Sequence, residues 1–123
     1  MVTVPGFLLR RLYVKKSLTN TDDGFQFQIR NRLGSGYAYR VWPLTVDGDE
    51  VSADDTVFEL DGETTAFSQV NRERTFSLAM NRTITITVAG VKLEPGPRKI
   101  GMGFDVPGLG TLRFDFTDVV TDE

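Results

Sequence analysis

Neither cysteine nor histidine occurs in the 123 residues of this chain. The first absence removes disulfides, thiolate metal ligands and cysteine nucleophiles, so burial alone must hold the fold. The second removes the side chain whose ordinary pKa lies nearest neutrality, and with it the Ser-His-Asp and Cys-His arrangements and the common zinc sites. Long apolar runs are missing as well. Phe7-Leu8-Leu9 is followed at once by Arg10-Arg11, the reverse of the order in a signal peptide, and no stretch approaches the length that spans a bilayer. The expectation is an unexported, cytoplasmic protein that does not engage a membrane. Charge of one sign is scarce too: the net value is −3. The one basic cluster, Arg10, Arg11, Lys15 and Lys16, is too small and too poor in aromatic neighbours for a nucleic-acid footprint.

What is present is a period of two. Phe25, Phe27, Ile29 and Leu33 alternate with Gln26, Gln28, Arg30 and Arg32, which gives one apolar and one polar face on a strand. Residues 83–88 repeat the pattern with β-branched side chains, which suit a pleated surface. Ile100, Met102, Phe104 and Val106 form a further run, answered by Leu112, Phe114 and Phe116 across Pro107-Gly108-Leu109-Gly110, so this pair reads as a terminal hairpin. Between them, residues 37–46 contain Pro43 and change apolar phase, from Tyr37, Tyr39 and Val41 to Trp42, Leu44 and Val46; an edge, a bulge or a break is expected there. Residues 57–60, 65–70 and 75–80 are shorter strand candidates. Turn signals recur roughly every ten residues, as in an all-β sandwich. The one helical candidate is short and lies within residues 5–13. The prediction is an all-β fold: one domain over residues 1–123, a β-sandwich or jelly-roll-like arrangement of antiparallel strands, with an acidic tail, residues 118–123, expected to fray.

Carboxylates are the remaining candidates for chemistry. Asp47-Gly48-Asp49-Glu50 with Asp54-Asp55 fails the EF-hand pattern at Val51 and Ser52 and reads as a solvated turn rather than a metal site. Asp105 and Asp115 lie on the two strands of the terminal hairpin and invite comparison with a glycosidase pair, but both alternate with core residues and should face outward. No catalytic and no metal-binding residue is therefore assigned. The most suggestive stretch is Tyr37-Ala38-Tyr39-Arg40-Val41-Trp42, since Tyr, Trp and Arg are enriched at the energetic centres of interfaces and their rings also stack on sugars and flat ligands.

Ser17-Leu18, Asn20, Gly24-Phe25-Gln26-Phe27 and Ile29-Arg30, then Val46-Asp47-Gly48 and Leu93-Glu94-Pro95-Gly96 leading to Ile100, resemble in order the small β subunits of bacterial C-glycoside deglycosidases. The chain departs from that pattern at Arg98, where a histidine is common. The resemblance implies a non-catalytic accessory β-sandwich, with no cofactor of its own, that packs in a hetero-oligomer on a larger barrel-type catalytic subunit. That partner would hold the divalent metal and the acid–base residues of a carbon–carbon lyase. It implies core roles for Phe25, Phe27 and Ile29 and a partner-facing role for Arg30. Together with the aromatic stretch, the expected partner or ligand interface is Arg30, Tyr37, Tyr39, Arg40 and Trp42. The alternative is a free-standing carbohydrate- or ligand-binding β-sandwich.

Overall fold

The computed structural model describes residues 4–121. The chain enters through a single helical turn, α1 (Gly6–Leu9), which tightens into a 3₁₀ turn at Arg10–Leu12. Among the described residues twelve strands follow: β1 (Thr19–Asn20), β2 (Gly24–Arg30), β3 (Gly36–Ala38), β4 (Arg40–Val41), β5 (Thr45–Val46) and β6 (Asp49–Glu50). After them come β7 (Thr56–Leu60), β8 (Glu63–Ala66), β9 (Phe76–Leu78), β10 (Thr83–Ala89), β11 (Pro97–Val106) and β12 (Gly110–Val119). They form one sheet in the order β1-β2-β10-β7-β8, a second in the order β12-β11-β5-β6 with β4 also on β11, and a ribbon of β3 and β9. All strand pairs are antiparallel. The fold is all-β and sandwich-like, as the period of two predicts.

The inward set of each long strand meets that of the opposite sheet. Phe25, Phe27 and Ile29 of β2 and Ile84, Ile86 and Val88 of β10 are buried against Ile100, Met102 and Phe104 of β11 and Leu112, Phe114 and Phe116 of β12 in one core. Phe27 meets Phe116 edge to face across the two sheets, with centroids 5.2 Å apart. At the other end Phe76 of the ribbon reaches Phe58 at 4.6 Å and Phe104 at 6.5 Å. Burying each such ring stabilises by about 1.5–3 kcal/mol. Gly24 is required by close approach: a Cβ there would strike the backbone of Val88. The β5–β6 hairpin turns on Asp47 (φ 50°) and Gly48 (φ 94°), the paired positive φ that a two-residue type I′ turn demands.

Of the edge, bulge or break expected over residues 37–46, the structure has the break: three short pieces, β3, β4 and β5, with Pro43 between the last two. The buried residues of this stretch are Ala38, Val41 and Leu44; the tyrosines turn away from the core. Other expectations need correction. Leu33 does not extend β2, which ends at Arg30. Buried Asn31 instead accepts the Leu33 and Gly34 N–H groups and folds the chain back, leaving Leu33 exposed. The tail does not fray over residues 118–121. Thr121 exchanges backbone hydrogen bonds with Leu18 and Asn20, and its bridge to Thr19 ties β12 to the first sheet; Asp122 and Glu123 lie outside the described residues.

Candidate functional site

Two places on the sandwich gather charge and aromatic rings. The first lies on the outer face of β11, where Ile100, Met102 and Phe104 point inward and Gly101, Gly103 and Asp105 point outward. Residues 39–42 run along this strand: the Tyr39 N–H donates to the Asp105 carbonyl (3.1 Å) and the Trp42 N–H to the Gly103 carbonyl (2.9 Å). That path lays the indole over Asp105, whose Oδ1 accepts hydrogen bonds from Trp42 Nε1 (2.9 Å) and Thr111 Oγ1 (2.6 Å). Gly103 is paired with Arg113 and leaves room for its aliphatic stem. The Arg113 guanidinium lies 5.1 Å from the indole centroid and that of Arg40 3.9 Å, both within cation–π range. Asp105 is only 8% exposed. Burial alone would raise its pKa, but the Thr111 and Trp42 hydrogen bonds and the Arg40 and Arg113 charges outweigh it, and the carboxyl lies below the usual range.

Beside this cluster is a cleft of about 600 Å³ bordered by Pro43, Thr45, Asp47, Lys99, Arg113 and Asp115. Its edges are already ion-paired: Asp115 faces Arg10 (3.6 Å) and Lys99 (3.8 Å), and Asp47 pairs with Arg98 (3.0 Å). The Lys99 N–H and then the Arg98 guanidinium hold the Asp47 carboxyl below its ordinary pKa. A glycosidase-like pair is not built here. Asp105 sits opposite Thr111 and Asp115 opposite Gly101, which separates the carboxylates by about 13 Å along the strands. Acid–base pairs need about 5–9.5 Å. Among the described residues no three acidic side chains gather to hold a metal ion.

The second place is the side of the sandwich where residues 13–20 run along β2 and close the gap to β12. Tyr13 stacks on Phe116 (centroids 3.6 Å apart, planes 10° apart) and donates its hydroxyl to Asp118 Oδ2 (2.7 Å). Burial and that neighbouring carboxylate push the phenol well above its ordinary pKa, so it stays a donor. Asp118 also accepts the Lys16 N–H (2.8 Å). Around this anchor opens a cleft of about 820 Å³ that draws on Phe7, Leu33 and the cations Arg10, Arg11, Lys15, Lys16, Arg30 and Arg32.

The five residues expected to share one interface do not share one surface. Arg40 and Trp42 touch, and Tyr39 stands beside them with Arg72 stacked 4.2 Å over its ring. Tyr37 is 48% exposed on the ribbon. Arg30 belongs to the second cleft, at the end of β2. Asp105, Thr111 and Arg113 complete the Trp42 cluster and went unassigned. The register of the terminal hairpin, which sets Asp105 against Thr111 and Gly103 against Arg113, is the signal that would have found them. The basic cluster is likewise larger than its four members from residues 10–16, because Arg30 at the end of β2 and Arg32 just beyond it join the same cleft.

A family model described as "Hydroxymethylglutaryl-CoA reductase, N-terminal domain" matches residues 8–121. No curated protein matches the chain. The family match overturns the resemblance to C-glycoside deglycosidase β subunits. The segments that carried that resemblance have local structural roles that many β-sandwiches share. Phe25, Phe27 and Ile29 are a strand's buried phase, Asp47-Gly48 is a hairpin turn, and Gly96 takes φ 97° before β11.

Proposed function

The chain belongs to the family of hydroxymethylglutaryl-CoA reductase N-terminal domains, and we propose that it is a non-catalytic accessory module that packs on a larger catalytic partner. The observation that carries this reading is the Trp42 cluster. An indole fixed by a buried carboxylate and flanked by two guanidiniums is a preorganised group of the residue types that dominate interface centres. The exposed ring of Tyr37 adds to the aromatic surface available to a partner. The family's description, an N-terminal domain of a reductase, fits a unit that works beside a catalytic one. In this reading the reaction chemistry, with any metal or cofactor it needs, sits in the partner, and the assembly is cytoplasmic. Among the described residues no helix is long and apolar enough to cross a membrane.

Native mass measurement of the protein purified from its own host tests the proposal. A hetero-assembly with a larger enzyme subunit is expected, and Arg113→Glu together with Tyr37→Ala should weaken it at least about tenfold while the domain stays folded. A lone monomer with both variants indistinguishable from the parent would sink it. The second reading, a free-standing ligand-binding module, is favoured by the cleft of about 600 Å³ next to Arg113. It predicts saturable binding of a small ligand by the monomer.

A further inference from the structure

The cations of this chain are unevenly placed. The protein is acidic overall, with 14 Lys and Arg against 17 Asp and Glu, yet six of the 14 border the cleft beside Tyr13. Asp118 is the one carboxylate among that cleft's lining residues, and it is engaged by Tyr13, Lys16 and Val119. Outside the cleft five of the six arginines are matched, Arg82 with Asp61, Arg98 with Asp47, Arg40 and Arg113 with Trp42, and Arg72 with Tyr39; among the described residues Arg74 is the exception. In the cleft, the side chains of Arg11, Lys15, Arg30 and Arg32 have no hydrogen-bond or ion-pair partner among the described residues. Arg30 goes further, because its Nε is buried without a hydrogen-bond partner. A buried donor without an acceptor is destabilising, and so is a concentration of like charges; an anion relieves both. Two of the chain's exposed large hydrophobic side chains, Phe7 at 67% and Leu33 at 40%, line the same cleft.

We propose that this cleft is a binding site for a phosphate group joined to an apolar moiety. Arginine forks pair two oxygens of a phosphate at once while lysines add point charge. A multiply charged phosphate uses several of the free cations, whereas a single carboxylate leaves most of them unmatched. Phe7 and Leu33 take the apolar part. The volume, about 820 Å³, lies in the range of small-ligand pockets, which favours a discrete ligand over the flat face of a membrane. The site is separate from the Trp42 cluster and stands or falls without it.

The probes are inorganic phosphate, octyl phosphate below its micelle concentration, and vesicles of neutral lipid with or without anionic phospholipid, titrated into the ¹⁵N-labelled full chain. Saturable amide shifts confined to residues 7–16 and 30–33 are expected, with octyl phosphate binding more tightly than inorganic phosphate. Lys15→Gln should weaken both, Arg30→Gln combined with Lys15→Gln should weaken both at least tenfold, and Phe7→Ala should remove only the advantage of the octyl chain. Lys92→Gln, outside the lining of the cleft, should change nothing. Lys15 is exposed, so its single variant keeps the test valid if Arg30→Gln perturbs folding. Shifts that scatter equally over Arg74 and Lys92, or affinities indifferent to the cleft substitutions, would overturn the proposal. So would sedimentation with anionic vesicles unaccompanied by saturable octyl phosphate binding, which would mark a membrane-facing patch instead.

Discussion

The two charged regions of this sandwich are built on opposite principles. On the outer face of β11 every charge is answered: Asp105 by Trp42 and Thr111, Arg40 and Arg113 by the indole. Beside Tyr13 one carboxylate is answered and four cations are not. A satisfied polar network makes a surface rigid and holds a side chain in one pose. An unsatisfied one is a standing attraction for something outside the chain. The first region should therefore contribute stability and a fixed surface for a partner, and the second an attraction for an anion.

The sharpest way to break that contrast is Trp42→Ala. It removes the indole, one of the two side-chain donors to a buried carboxylate and the ring that both guanidiniums approach. The expected loss is about 2–4 kcal/mol of unfolding free energy, read as a lower urea midpoint with an unchanged slope. A change below about 0.5 kcal/mol, the size of an ordinary surface substitution, would mean that the cluster does not hold the sheet face. Tyr13→Phe makes the corresponding cut at the anchor of the second region. It keeps the ring on Phe116 but loses the hydroxyl that donates to Asp118 and accepts the Leu18 N–H, for about 1–2 kcal/mol.

Acid should affect both regions through their carboxylates. Asp105 and Asp118 have folded-state pKa values below the ordinary one, because their hydrogen bonds and neighbouring cations outweigh burial. Their contribution is complete above the unfolded value of about 3.9 and is lost as pH falls through the lower folded values. Thermal melts between pH 6 and 2 should show stability falling on the acid side. Asp105→Asn and Asp118→Asn should each flatten that limb. An acid limb unchanged by both substitutions would contradict the assignment.

Much of this architecture is legible in the residues themselves. The long strands β2, β10, β11 and β12 each carry an unbroken alternation, and the helical turn and the Asp47-Gly48 hairpin follow from local chemistry. Over residues 37–46 the apolar phase grouped Tyr37 and Tyr39 with Val41, and that grouping is not the buried one. Pro43 breaks the ladder, the buried residues fall at Ala38, Val41 and Leu44, and Tyr37 turns outward. The candidate sites fared worse for a plain reason. Arg40 and Trp42 are near neighbours in sequence and were found, whereas Arg113 and Asp105 reach Trp42 only through the hairpin register. Arg30 and Arg32 join Arg10, Arg11, Lys15 and Lys16 because residues 13–20 double back along β2, and no local pattern announces that. The short motifs behind the discarded family resemblance were turns and buried strand phases, which constrain a fold far more than they identify a family.

The smallest expected effect decides the most about the second region. If its cations are held for a ligand rather than for the fold, neutralising them should not weaken the domain. Lys15→Gln and Arg32→Gln, alone or together, are expected to leave unfolding free energy within about 0.5 kcal/mol, with any shift toward greater stability at low salt as like-charge repulsion falls. The parent should gain stability when chloride is replaced by phosphate at equal ionic strength, because a ligand that binds only the folded state raises its stability by mass action. The double variant should lose most of that gain. A domain clearly weakened by these substitutions, with no difference between the two salts, would place the cations among the fold's own supports and erase the distinction between the two regions.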